Sequence, residues 1–163
     1  MKKYIKILIV LLIIVLFSLF YFASRYHKEA SKTKETVVEI DDFYMTLYGP
    51  YKKNDHLNKN ASFGYQKDNI YISGIKEKKE NYASLDDFIK TKDIDNKKLY
   101  NYTSTVLINK RLTSIYHNDK DHKYILYSTY LETGSNYVEI LMWSNKTILS
   151  EYKAITQSIR RKK

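Results

Sequence analysis

The chain of 163 residues has no cysteine. That absence excludes disulfides, thiol catalysis and thiolate metal sites, and it removes the lipid-modified cysteine that tethers some exported domains. Glycine occurs four times, at Gly49, Gly64, Gly74 and Gly134, too sparsely for a phosphate-cradling loop. There is no Gly-x-Ser-x-Gly elbow. Nucleotide binding and common hydrolase chemistry therefore have no carrier, and the sequence calls for no cofactor. The single proline, Pro50, follows Gly49 and marks a turn.

Positive charge is plentiful but unevenly placed. Of the net +10, residues 1–30 carry +4 and residues 160–163 another +4, which leaves the body nearly neutral. A nucleic-acid partner is accordingly not expected. The excess of Lys, Asn, Ile and Tyr is also what an AT-rich genome produces.

Between Ile7 and Ala23 lies an uncharged run, "ILIVLLIIVLFSLFYFA", long enough as a helix to cross most of a bilayer core of about 30 Å. A secretory h-region needs only about 7 to 15 apolar residues. Tyr21 and Phe22 occupy positions that a signal peptidase site needs small. We read residues 7–23 as a retained membrane anchor in contact with the lipid bilayer, marked by Ile7, Leu11, Ile14, Phe17 and Phe20. Lysines and arginines flank it on both sides, so their count does not orient it. A very short basic tail, residues 1–6, ordinarily stays in the cytoplasm, which places the soluble part outside a single-pass cell-membrane protein. Residues 24–35 form a polar stem, residues 36–160 one globular domain, and residues 161–163 a basic tail. The four basic residues from Arg160 to Lys163 suit a solvated tail, the end of a helix dipole, or anionic headgroups near the anchor.

Within the domain, "VVEIDDFYMTLYG" reads as a first strand, Val37 to Gly49. "ASFGYQKDNIYISGI" reads as a hairpin turning at Asp68 and Asn69. Leu85, Phe88 and Ile89 share one face of a short helix that Ser84 and Asp87 would cap as a capping box. Four more strands follow from Leu99, with turns at Asn109–Lys110, in "NDKD" and in "TGSN". The runs "KYILYSTYL" and "YVEILMW" are apolar or aromatic on both faces, as in central strands covered on two sides. Ile148, Tyr152, Ile155 and Ile159 mark a last helix, with Thr147 as a possible cap. The expected class is α+β, an antiparallel sheet of about six to seven strands with helices packed on it, preceded by one transmembrane helix.

Few residues suggest chemistry. "HNDKDH", His117 to His122, brings two imidazoles near Asp119 and Asp121, but Lys120 and Lys123 oppose a cation, and a solvated turn is expected rather than a metal site. The paired carboxylates Asp41–Asp42 and Asp86–Asp87 fit a strand entry and a helix start better than acid-base work. No catalytic residue is assigned. Among the seventeen tyrosines, Tyr100, Tyr102, Tyr116, Tyr124, Tyr127, Tyr130 and Tyr137 fall on expected strands. They are a candidate binding face, since tyrosine gives contact area at little rotamer entropy; strands also favour tyrosine without any such role.

The opening "DDFYMTLYGPY", the hairpin leading to "ASLDDFIK", the "VLINKR" turn, the hairpin "YILYSTYLETGSNYVEILMWS" and the terminal "YKAITQSIR" together resemble the PsbP-like and DcrB-like family of alpha-beta-alpha sandwiches over residues 40 to 160. The resemblance implies an exported or lumenal domain that works by binding another protein. It locates no functional residue, and the apparent anchor without a lipidation cysteine departs from the family's habit. The resulting expectation is a non-catalytic, protein-binding domain in envelope assembly, secretion or toxin neutralisation (immunity). The alternatives are a small-molecule or lipid site in a cleft between sheet and helix, and an enzyme with an unrecognised site.

Overall fold

A computed structural model describes residues 13, 15–19, 21, 34–118 and 124–163. Of the five residues that mark the expected anchor, Phe17 is helical and exposed, while Ile7, Leu11, Ile14 and Phe20 lie outside the described residues. Among the described residues, no helix is long and apolar enough to cross a membrane.

The strands are β1 (Glu35–Ile40), β2 (Phe43–Tyr48), β3 (Lys52–Lys53), β4 (Ala61–Lys67), β5 (Ile70–Lys78), β6 (Asn101–Ile108), β7 (Arg111–Asn118), β8 (Tyr124–Glu132), β9 (Asn136–Ser144) and β10 (Arg160–Arg161). Two α-helices are interleaved, α1 (Leu85–Leu99) and α2 (Leu149–Ser158). Seven strands form an antiparallel sheet in the order β3-β4-β5-β9-β8-β7-β6, and β1-β2-β10 form a smaller one. The α+β class and the antiparallel sheet with packed helices are as the sequence implies.

The long strands at the centre, β5, β9 and β8, are covered on both sides, which accounts for their two apolar faces. On one side Phe88 of α1 is fully buried against Tyr130 and Tyr137, with Tyr116, Leu126 and Leu141 in a neighbouring cluster. On the other, Tyr152 and Ile155 of α2 and Met45 and Leu47 of the small sheet close over Ile72, Tyr127, Ile140 and Met142. Tight turns set the register. Asp68 takes φ 51°, and Asn109 and Lys110 take 50° and 63°, the left-handed values a two-residue hairpin of this kind needs. Asn109 also donates to Lys153 O and Thr156 Oγ1, fixing that turn to α2.

Several local expectations change. The single strand from Val37 to Gly49 is two strands, because Asp41 adopts φ 49° and turns the chain back on itself. Its carboxylate receives hydrogen bonds from Lys76, Thr133 and Asn136, contacts that local periodicity does not register. The first helix runs to Leu99 rather than ending early. Its start is close to the expected box: Ser84 Oγ accepts from Asp87 N, while Asp87 Oδ2 accepts from Ala83 N, one residue before the cap. Thr147 does not cap α2, whose N-cap is Ile148 without a side-chain bond. Arg160 and Arg161 pair with Tyr44 and Phe43 instead of trailing into solvent.

Candidate functional site

Sheet edges carry unpaired N–H and C=O groups, and proteins normally blunt them with charge, proline, brevity or cover. The two sheets expose four edges among the described residues. At β3 the edge is two lysines long and follows Pro50. β10 is two arginines, and β1 carries Glu35 and Glu39. β6 differs from all three: NYTSTVLI is eight residues without a charge or a proline.

Most of this strand is exposed. Except for Ser104, which is half-buried, and Ile108, which reaches the core, every residue of β6 is exposed. Pairing places Tyr102 opposite Tyr116 and Leu107 opposite Leu112, with Leu107 71% and Leu112 41% exposed. Tyr102 meets the Tyr116 ring edge-on at 5.9 Å and donates to Thr105 Oγ1 at 3.0 Å. A bulge at Thr103 leaves Ser104–Ile108 as the regularly paired stretch.

Cations bracket the strand. At its start a recess of about 240 Å³ is lined by Lys97, Lys98, Leu99, Tyr100, Asn101, His117 and Asn118. Lys97 Nζ lies 4.5 Å over the Tyr102 ring, and Lys98 forms an exposed ion pair with Asp95 at 2.7 Å. At its end stand Lys110, in the hairpin turn, and Arg111, which donates to Asn109 O and Ile159 O. Burial lowers the pKa of the Arg111 guanidinium. Residues 96 to 118 contain no acidic residue.

A second feature lies between α1 and the sheet. Leu57 and Asn58, the carboxyl end of α1 and Tyr100 enclose an apolar cleft of about 440 Å³ whose floor is Ile75, Leu126, Leu141 and Trp143. The loop can cross the sheet there because Gly64 has no side chain: a Cβ on it would sit 2.2 Å from Asn54 O. Asn96, on the cleft wall, donates to Glu139, which also accepts from Ser128. Burial raises the Glu139 pKa. Beside it Lys92 and Tyr82 both bond Glu77. Burial pushes Glu77 up, but those two hydrogen bonds and the Lys92 charge outweigh it and hold the carboxyl low. Glu139 had a sequence signal, a lone carboxylate inside an apolar strand.

The seven tyrosines do not share one exposed face. Tyr116, Tyr127, Tyr130 and Tyr137 are buried, and Tyr127 packs against Tyr152 on the opposite side of the sheet from Tyr130. Tyr116 and Tyr130 donate to Asp93 of α1. Tyr100 and Tyr124 are half-buried, and Tyr102 is 44% exposed on β6. His117 sits in β7 opposite Asn101, while Asp119, Lys120, Asp121, His122 and Lys123 lie outside the described residues. Asp41 and Asp87 do structural work, at a turn and a cap.

This arrangement of helix, sheet and second layer defines a PsbP-like fold. The solution structure of a cyanobacterial PsbP, CyanoP, from Synechocystis superposes with a TM-score of 0.57 at 9% identity, covering 81% of this chain and 94% of that one. A crystal structure from Bacteroides thetaiotaomicron superposes with a TM-score of 0.54 at 14% identity over 81% of this chain. The chain spans about half the length of that Bacteroides protein, 49%. No protein-family model and no curated protein matches the chain.

Proposed function

We propose that this chain is a membrane-anchored, non-catalytic domain that binds another protein, in envelope assembly, secretion or toxin neutralisation. The observation that carries the reading is the β6 edge, which no other described strand pairs and which bears no charge or proline, since strand addition to such an edge recruits peptide segments through main-chain hydrogen bonds. The apolar run of residues 7–23 supports the anchor, and the short basic tail before it supports an extracytoplasmic domain. A non-catalytic role fits the way six of the described carboxylates are engaged: Asp41, Glu77, Asp87, Asp93, Glu139 and Glu151 hold strands and helices together.

The test is affinity capture from detergent-solubilised envelope with the full chain, beside a Thr103→Lys, Leu107→Lys variant that charges the edge at two exposed positions. A partner kept by the native chain and lost from the variant, with unchanged circular dichroism, supports the reading. Equal recovery from both, or no partner for either, overturns it.

The apolar cleft favours a second reading, a small apolar molecule bound between α1 and the sheet. Trp143 is the chain's only tryptophan, lines that cleft and stacks on Tyr71 at 5.6 Å. Titration with a fatty acid should therefore shift Trp143 fluorescence saturably, and Leu141→Phe, which narrows the cleft without adding a second indole, should weaken it. An unchanged spectrum sinks this reading.

A further inference from the structure

An open edge states that a strand can be added; its surroundings state which strand. Over Asn101–Ile108 the edge is uncharged, and the side chains pointing to the α1 side, Tyr102, Thr105 and Leu107, are aromatic, β-branched and aliphatic. Cross-strand partners for such positions are β-branched or aromatic. Among the described residues both ends are cationic, with Lys97 and Lys98 beside the recess at Asn101 and Lys110 and Arg111 beyond Ile108. The exposed Lys98–Asp95 pair contributes little and leaves Lys98 able to engage an incoming carboxylate.

A second copy of this chain does not complement that pattern. Two-fold antiparallel pairing sets the start of one β6 against the end of the other, so Lys97 and Lys98 would meet Lys110 and Arg111 across the seam. Like charges so placed are unfavourable.

We propose that the outer edge of β6 receives an extended segment of an acidic partner protein as an eighth strand, uncharged where it pairs and carrying aspartate or glutamate on both flanks. This rests on the protein-binding reading above and adds the chemistry of the partner. Main-chain hydrogen bonds along Ser104–Ile108 supply the pairing, Leu107 and Leu112 bury alternate apolar side chains, and the recess at Asn101 takes one acidic flank while Lys110 takes the other. The charged ends set which segments are accepted and how fast they arrive.

The experiment uses the full chain in detergent micelles and a labelled synthetic peptide of about ten residues, alternating valine and threonine with two aspartates at each end. Its controls are the same peptide with lysines for aspartates, the acidic peptide N-methylated on alternate residues, and a single-stranded oligonucleotide of matched charge. Binding is read by fluorescence anisotropy, and placement by hydrogen exchange of the β6 amides. The acidic peptide should bind at least about tenfold tighter than the lysine peptide and slow exchange within Asn101–Ile108. Lys97→Glu with Lys110→Glu should reverse the preference. Equal binding of the two peptides overturns the charge rule, and undiminished binding after N-methylation overturns strand addition. Tighter binding of the oligonucleotide overturns the partner class. If the lysine-charged edge loses its captured partner while the peptides show no charge preference, this inference falls and the protein-binding reading stands.

Discussion

Glu139 shows how far a single side chain can be placed against its own chemistry. It is 1% exposed between Ser128 and Asn96, whose hydrogen bonds favour the ionised form, as does the charge of Lys92. Burial is the larger effect and moves its pKa above the ordinary glutamate range. The native state therefore keeps this proton to a higher pH than the unfolded chain, whose glutamates ionise near about 4.3. Over that interval the native state binds more protons, so stability falls as pH rises. Glu139→Gln, which retains an acceptor oxygen, should be more stable than the native chain at neutral pH and lose that slope; urea unfolding across pH 4 to 8 checks it. Glu77 works in the opposite sense, since its carboxyl is held low with Lys92 and Tyr82 as partners, and its contribution is lost as pH falls through its native pKa. Packing is as local as charge. A methyl group at Gly64 would collide with the Asn54 carbonyl, so Gly64→Ala should cost about 1–3 kcal/mol and displace the loop that walls the apolar cleft.

Helix α1 divides its residues sharply between those that hold it and those that face water. Phe88 is fully buried, 5.4 Å from the Tyr137 ring and 6.2 Å from Tyr130, whereas Ile94 and Leu99 are 60% and 72% exposed. Phe88→Ala should cost about 3–5 kcal/mol. Ile94→Ala should stay within about 0.5 kcal/mol, as usual for surface positions. Denaturant midpoints for the two variants measure the contrast. The buried face of this helix and its capping box were legible because both are set within a few residues. The hairpins at Asp68–Asn69 and Asn109–Lys110 were legible for the same reason. Elements made by distant partners were not: the turn at Asp41 is held by Thr133 and Asn136, and β10 exists through pairing with β2. The site follows the same rule. β6 reads plainly as a strand, but its position at the end of the order β3-β4-β5-β9-β8-β7-β6 is a property of the assembled sheet. Tyrosines chosen by strand location alone were divided by the fold between two faces and an interior.

Across the whole domain, strand β2 separates the two basic ends of the chain. The chain enters β1 beside the end of β2, where Gly49 N donates to Lys34 O at 2.6 Å. The carboxyl-terminal residues leave at the other end of β2, with Arg161 opposite Phe43 and Lys162 N donating to Asp42 O at 2.7 Å. Six residues of strand span about 20 Å, twice the Debye length of about 10 Å at 0.1 M salt. At the Phe43 end of β2 the residues from Arg160 to Lys162 act as a structural clasp. Lys162 Nζ reaches Glu39 at 2.9 Å, and Arg161 Nε reaches Asp42 at 3.5 Å. Two deletions separate these roles. Removing residues 1–33 takes away no side chain of the described core, so the domain should leave the membrane fraction and keep its melting temperature. Removing residues 160–163 deletes β10 and its clasp; the protein should stay with the membrane after carbonate washing yet lose about 1–2 kcal/mol of stability. Carbonate extraction and thermal melts of the two proteins read both outcomes. Release of the second protein from the membrane would instead make the basic tail the membrane contact.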